Sequence, residues 1–240
     1  WGSDEADRDG AVTLHIPEEH FFPWSPDSPF LYDLTVGTTQ GEEEQRDTVH
    51  SYFALRKWSC APDVHGIMRF CLNGKPILLN GLLDQGYWPE GLYTPPSDGA
   101  VARELQTIKE LGFNLLRKHA KIEPQRWYYH CDKLGLIVWQ DMVNGGGPYK
   151  LWFVTYLTNV FQPLLRRLPD ARPLWGLLGR ETEAGREEYA RELEATVKTL
   201  QCHPCVGCWV PFNEGWGQFD AAGAVEAVRR LDDTRLVDEA

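Results

Sequence analysis

Asn213 and Glu214 set an amide beside a carboxylate at the end of the apolar run Val206-Gly207-Cys208-Trp209-Val210-Pro211-Phe212, and Gly215-Trp216-Gly217-Gln218 follows. The run has the length and composition of a buried parallel strand. Beyond it, Asp220 is placed to N-cap a helix that turns Val225, Val228 and Leu231 inward. The pair therefore belongs to a strand-to-helix loop, the place where α/β barrels carry their catalytic groups. A carboxyl group there, flanked by Trp209 and Trp216, would have its pKa raised by desolvation and could serve as a proton donor. The same residue types also cap or bridge loops, so the pair alone leaves a structural role open.

The elements that must position this pair repeat the same plan upstream. A strand at 77–83 ends at Asp84, and a helix opens after Ser97 with Val101, Leu105, Ile108 and Leu111 on one face and Gly112 as its stop. A second strand, 113–116, ends at Arg117-Lys118-His119. A helix with Pro124 at its first position follows, with Trp127, Cys131 and Leu134 inward and Gly135 as its stop. A third strand, 136–139, ends at Gln140-Asp141. Residues 149–180 are aromatic and Arg-rich without a clean period and read as an insertion over the barrel face. A helix at about 181–201 has Tyr189, Leu193, Val197 and Leu200 on one side. Residues 234–238 close the alternation as a fifth strand. Strand–helix alternation implies a parallel sheet. It collects Asp84, Arg117, His119, Asp141, Asn213 and Glu214 at strand C-terminal ends, predicting one shared cleft. Taken singly, an Arg of this kind pairs with a carboxylate and a lone His is a satisfied hydrogen-bonder; their convergence is what points to a site.

The first 60 residues differ in pattern. Val12-Thr13-Leu14-His15-Ile16, residues 30–36 and residues 47–58 alternate with period two, with a charged hairpin tip at 41–45, predicting three or four strands of a β-sandwich. Residues 59–65, with Pro62, read as a linker, and Asn73-Gly74 is a hairpin turn signal.

Composition excludes several classes. A net charge of −11 argues against a nucleic-acid backbone as partner. No run of 18 apolar residues is present to span a membrane. The glycine run Asn144-Gly145-Gly146-Gly147-Pro148 lacks the Lys-Ser/Thr of a phosphate loop. Cys202, Cys205 and Cys208, beside His203, have a C-x2-C-x2-C spacing that could be read as a metal site. No second pair lies nearby, and an odd offset sends Cys205 and Cys208 to opposite faces of a strand, so no metal and no cofactor are expected. Scattered Cys60, Cys71 and Cys131 show no disulfide framework and favour a reducing compartment such as the cytoplasm.

Most of residues 11–240 resembles glycoside hydrolase family 2, the group of β-galactosidases, β-glucuronidases and β-mannosidases. The resemblance is carried by Trp24-Ser25-Pro26 with Pro29-Phe30-Leu31-Tyr32, by Phe53-Ala54-Leu55-Arg56-Lys57 and by Leu72-Asn73-Gly74-Lys75-Pro76-Ile77. Further along it is carried by Cys131-Asp132-Lys133-Leu134-Gly135-Leu136 with Trp139-Gln140-Asp141, and by Phe212-Asn213-Glu214-Gly215-Trp216. It implies a partial immunoglobulin-like β-sandwich over residues 1–62, then an incomplete (β/α)8 TIM barrel over residues 63–240. It also implies hydrolysis of terminal β-glycosides, β-galactoside-like, with retention of configuration. On this resemblance Glu214 is the general acid/base, Asn213 binds the sugar 2-hydroxyl, and Arg117 matches the barrel arginine. Asp84, His119, Asp141 and Trp216 are expected to add further substrate contacts from the same cleft. The chain departs from the family at Arg117-Lys118-His119-Ala120, where Ser-His-Tyr-Pro is frequent two residues past the Arg. Retention needs a second carboxylate about 5–5.5 Å from the first. The family places it on a later strand, and neither Glu226 nor Glu239 matches it, so a fragment is expected. The implied partner is a carbohydrate, with no nucleic acid or membrane, and a homo-oligomer is open to the full-length parent. Two other readings stand beside this one: a non-catalytic carbohydrate-binding or interaction fragment, and a metal protein built on the cysteine cluster.

Overall fold

The computed structural model describes residues 2, 4–7, 10–40, 45–157, 160, 169–213 and 217–239. Its centre is a five-stranded parallel sheet made of β6 (Gly81–Asp84), β7 (Leu115–Lys118), β8 (Ile137–Asp141), β9 (Val206–Val210) and β10 (Leu236–Val237), neighbours in that order. Helices fill each interval: α1 (Asp98–Glu110), α2 (Gln125–Leu134), α3 (Glu183–Leu200) and α4 (Ala221–Leu231). This is successive βα-unit order in a barrel wall, and it is not closed: β6 and β10 each pair on one side only among the described residues.

Local chemistry explains each boundary. Ser97 accepts the Ala100 amide and starts α1, and Gly112, at φ 89°, takes the left-handed turn that follows it. Leu111 therefore lies past the last helical turn and is exposed, not on the inner face that its spacing suggests. Pro124 caps α2 from just outside the helix, and Gly135 closes it at φ 69°. Thr182 and Asp220 cap α3 and α4 through their side chains. The inner faces of α1 to α4 (Leu105, Trp127, Cys131, Leu193, Val197, Val228) pack against Leu116, Ile137, Val138 and Val206 of the strands as one core. No helix among the described residues is long and apolar enough to cross a membrane.

The N-terminal part is less than a sandwich. β1 (Tyr32–Gln40) and β2 (Gln45–Phe53) form a two-stranded antiparallel ribbon, whose tip at 41–44 lies outside the described residues. Residues 12–16 are not a strand, and a single 3-10 turn at Glu18–His20 follows them. Val36 and Val49 on the ribbon are 52% and 57% exposed, so no second sheet covers it and the described residues do not form a β-sandwich. β3 (Trp58–Pro62), β4 (Met68–Leu72) and β5 (Lys75–Pro76) make a separate three-stranded sheet. The stretch read as a linker therefore enters a hairpin, with Pro62 paired to Met68. Asn73 and Gly74, at φ 52° and 77°, supply the two left-handed residues of the β4–β5 turn.

Trp24 stitches this part to the barrel. It is fully buried, its indole donates to the Asp132 carbonyl at 2.8 Å, and its own carbonyl accepts from the Asn73 amide at 2.9 Å. Trp24→Ala is expected to cost about 3–5 kcal/mol, read as a lower urea midpoint at unchanged m-value.

Candidate active site

Strand register decides which side chains meet. Arg117 lies beside Trp139 and Trp139 beside Cys208, while Lys118, Gln140 and Trp209 align one residue further on. Alternation then divides the row: Arg117, Trp139, Asp141 and Cys208 share one face, and Lys118, Gln140 and Trp209 share the helix-covered face.

On the first face Arg117 is the joint. Its Nε donates to Asp141 Oδ1 at 2.9 Å and its Nη2 to Asn213 Oδ1 at 3.1 Å. A guanidinium only donates, so the Asn213 amide is oriented with its oxygen toward Arg117 and its NH2 outward. That NH2 meets His119 Nε2 at 2.9 Å. His119 Nε2 must then accept, which places the ring proton on Nδ1. The His119 backbone amide donates to the Asp84 carbonyl at 2.9 Å, fixing the loop after β7 against β6. The structure thus brings together four of the expected residues: Arg117, His119, Asp141 and Asn213.

Asp84 is not among them. Its carboxylate accepts from Lys118 Nζ at 2.7 Å and from the Gly86 amide at 2.8 Å, on the other side of the strands. Because β6 ends in register with Lys118, the Asp84 side chain follows Lys118 and not Arg117. Lys118 is fully buried, also donates to Glu123 at 2.8 Å, and sits 4.4 Å above the Trp127 ring. Lys121 shares Glu123 at 2.8 Å and holds the carbonyls of Gly86 and Tyr93. Gln140 donates to the Lys121 carbonyl and accepts from Tyr128 at 2.6 Å. This second network escaped sequence reading, although Lys118, Lys121 and Glu123 within six residues at the end of a strand carried the signal. Trp209 also lies on the helix side, donating to Asp232 at 2.8 Å, away from the face that carries Arg117 and Asp141.

Glu214 and Trp216 lie outside the described residues. Arg180 donates to the Gly217 carbonyl and to Asn144 Oδ1, each at 2.8 Å. Arg180 lies in the stretch read as an insertion over the barrel face, and these bonds tie it to the loops after β8 and β9. In the cysteine stretch, Cys205 reaches the Tyr128 carbonyl on the helix side, whereas Cys208 faces with Arg117. No group of three or more metal-ligating side chains converges among the described residues.

A family model described as glycosyl hydrolases family 2, TIM barrel domain, matches residues 64–239. The chain belongs to glycoside hydrolase family 2. It is 24% identical over 241 residues to a β-galactosidase of Pectobacterium atrosepticum, covering 99% of this chain and 20% of that relative. It is 22% identical over 238 residues to the β-galactosidase large subunit of Lactobacillus helveticus, covering 97% of this chain and 34% of that relative. The chain thus spans about a fifth to a third of these curated relatives. Among solved structures, a Dictyoglomus thermophilum β-D-glucuronidase superimposes with a TM-score of 0.68 at 16% identity, over 90% of this chain and 34% of that one. A Parabacteroides merdae β-glucuronidase gives 0.64 at 21% identity, over 90% of this chain and 24% of that one. At these identities the likeness is one of fold.

Within this family 2 barrel segment Asp141 is the electrostatically loaded group. It is fully buried, and its Oδ2 has no hydrogen-bond partner among the described residues. Burial pushes its carboxyl above the usual aspartate range, outweighing the bond and charge of Arg117. A raised native pKa means that the folded state holds the proton more tightly than the unfolded chain does. The resulting stabilisation is complete below the ordinary aspartate value and is lost as pH rises through the raised native value. Relative to Asp141→Asn, the parent protein should therefore be most stable below about pH 4 and lose that advantage toward neutrality, as measured by urea midpoints across the range.

Proposed function

We propose that this chain supplies the acid/base side of a retaining β-glycosidase acting on an uncharged, β-galactoside-like terminal sugar. The observation that carries the reading is the Arg117–Asn213 bond, with Asp141 and His119 on either side. It holds an amide donor immediately before Glu214, at the C-terminal end of a barrel strand. In the reaction Glu214 protonates the leaving oxygen and then, as carboxylate, takes the proton of the attacking water. The Asn213 NH2 has a second hydrogen to offer the sugar 2-hydroxyl, a contact that strengthens as charge develops at the anomeric carbon. With His119 Nε2 taken by Asn213, its Nδ1–H is the group it can donate to a neighbouring hydroxyl.

The choice of an uncharged sugar rests on the cations. Arg117 is committed to Asp141 and Asn213, Lys118 to Asp84 and Glu123, and Lys121 to Glu123 and two carbonyls. A uronide would need one of them released. No described carboxylate is assigned as the nucleophile: Asp141 is held by Arg117, and Glu226 is exposed on α4 beside Arg230 at 3.6 Å. In the same reading residues 1–62 contribute an edge of an immunoglobulin-like unit, and residues 63–240 the first part of the catalytic barrel.

The test is hydrolysis of aryl β-glycosides by the protein that carries this barrel. Glu214→Ala is expected to lower kcat/KM by about 10²–10⁴-fold for poor leaving groups and far less for 2,4-dinitrophenyl glycosides, which need no protonation. Product anomers followed by NMR should show retention. Turnover that survives Glu214→Ala on poor leaving groups, or a preference for β-glucuronides over β-galactosides, would refute the corresponding part of the reading.

A further inference from the structure

A second guanidinium works at the loops after β8 and β9, and it is spent on neutral acceptors. Arg180 is 3% exposed. Its Nε donates to the Gly217 carbonyl and its Nη2 to Asn144 Oδ1, each at 2.8 Å, and its Nη1 donates to the Gly185 carbonyl at 3.4 Å. The cation lies 4.9 Å from the centre of the Tyr189 ring and 5.3 Å from that of Phe219. Every acceptor it reaches among the described residues is uncharged. A buried cation without a counter-ion costs stability, so packing alone would be better served by a neutral side chain.

The backbone around Arg180 is shaped to admit it. Gly217 has φ 63°, and a Cβ there would lie 2.6 Å from Asn144 Oδ1 and 3.2 Å from Arg180 Nε. Gly179 has φ 76°, and a Cβ there would run into the Gly147 carbonyl. The Gly147 amide donates to the Gly179 carbonyl at 2.8 Å, and a Cβ on Gly146 would come within 3.0 Å of the same oxygen. The glycine run after β8 thus lets the segment that carries Arg180 lie against the loop.

The chain on either side of residues 214–216 is held. Before them, the Tyr189 hydroxyl donates to the Pro211 carbonyl, and the Tyr189 ring stacks on Phe212 with centres 5.1 Å apart. Arg117 fixes the Asn213 amide. After them, Arg180 holds Gly217 and packs on Phe219. Glu214 stands three residues before Gly217, within about 11 Å of chain.

We propose that Arg180 is a positioning residue for the acid/base step. Given Glu214 as the acid/base, on which this inference rests, Arg180 fixes the far limb of the Glu214 loop by tying Gly217 to Asn144, as Arg117 fixes the near limb. Arg180 acts through the backbone and does not touch the sugar. A guanidinium suits the task because its fork sends donors to two loops at once, which one ammonium would not do in fixed geometry. Displacing a proton donor by about 1 Å costs up to about 10²-fold, and the cost falls on leaving groups that need the proton.

The experiment measures kcat/KM of the protein that carries this barrel on phenyl and 2,4-dinitrophenyl β-galactosides, for the parent, Glu214→Ala, Arg180→Met, Arg180→Lys and Asn144→Ala. Arg180→Met keeps much of the length and has no donor. It is expected to lower kcat/KM about 10–10²-fold on the phenyl substrate and less than about threefold on the dinitrophenyl one. Arg180→Lys should fall between Arg180→Met and the parent, and Asn144→Ala should show the same selectivity, more weakly. If Arg180→Met fails to fold by circular dichroism, Arg180→Lys and Asn144→Ala decide. Leaving-group-selective loss in Glu214→Ala, with uniform loss or none in the Arg180 and Asn144 variants, would overturn the positioning role and leave the acid/base reading standing. Absence of that selectivity in Glu214→Ala would overturn the acid/base reading and the positioning role with it.

Discussion

One guanidinium holds the ends of three barrel strands in a fixed relation. Arg117 belongs to β7, Asp141 to β8 and Asn213 to the loop after β9, and the two bonds from the Arg117 fork are what relate them. Bidentate geometry matters here because a guanidinium presents its donors in a plane at fixed angles. An ammonium at the same position could reach one acceptor or the other, but it would not dictate which way the Asn213 amide faces. The orientation passes on to His119, whose tautomer follows from it.

Much of this could be read from residue order, and the reasons differ by element. Three of the four helices announce themselves through caps and stops: Ser97 and Asp220 at the starts of α1 and α4, Gly112 and Gly135 beyond the ends of α1 and α2. These are local signals, and they need nothing distant to be true. The hairpin at Asn73-Gly74 is legible for the same reason. Period-two alternation at residues 12–16 proved insufficient, because alternation makes a strand only where another strand offers its hydrogen bonds, and none does so there. The candidate site was half legible. Its residues stand out as polar groups at strand ends, but which face each takes is set by inter-strand register. Register separated Asp84 and Trp209 from the cluster, and it grouped Lys118, Gln140 and Tyr128 into a network that no single position revealed.

The two ends of the strands are organised by different residues. At the C-terminal end the polar groups stay partly open, with Arg117 28% exposed in its side chain. At the N-terminal end Asp132 is closed over entirely: its carboxylate takes Tyr52, His203 and the Cys205 amide, and its backbone carbonyl takes Trp24. Three segments far apart in sequence, at Trp24, Tyr52 and residues 203–205, meet on this one residue. That division matches the general economy of barrel folds, in which one face is left for chemistry and the other secures the fold. Cys205 falls on the secured side, where its buried thiol is a small apolar filler, whereas Cys202 is exposed.

Arg117 and Lys118 are neighbours in sequence with opposite surroundings: one faces Asp141 and Asn213, the other is sealed between Asp84, Glu123 and the Trp127 ring. A strand displaced by one residue exchanges the faces of all its side chains. Here that would press a branched guanidinium into a pocket shaped for a single ammonium and leave Asp141 facing no fixed cation. The buried carboxylates on each side would then lose the partner that justifies their burial. The adjacent pair therefore acts as a proofreading device for assembly: β7 can dock between β6 and β8 in only one alignment without stranding charge, and the alignment it accepts is the one that carries the site.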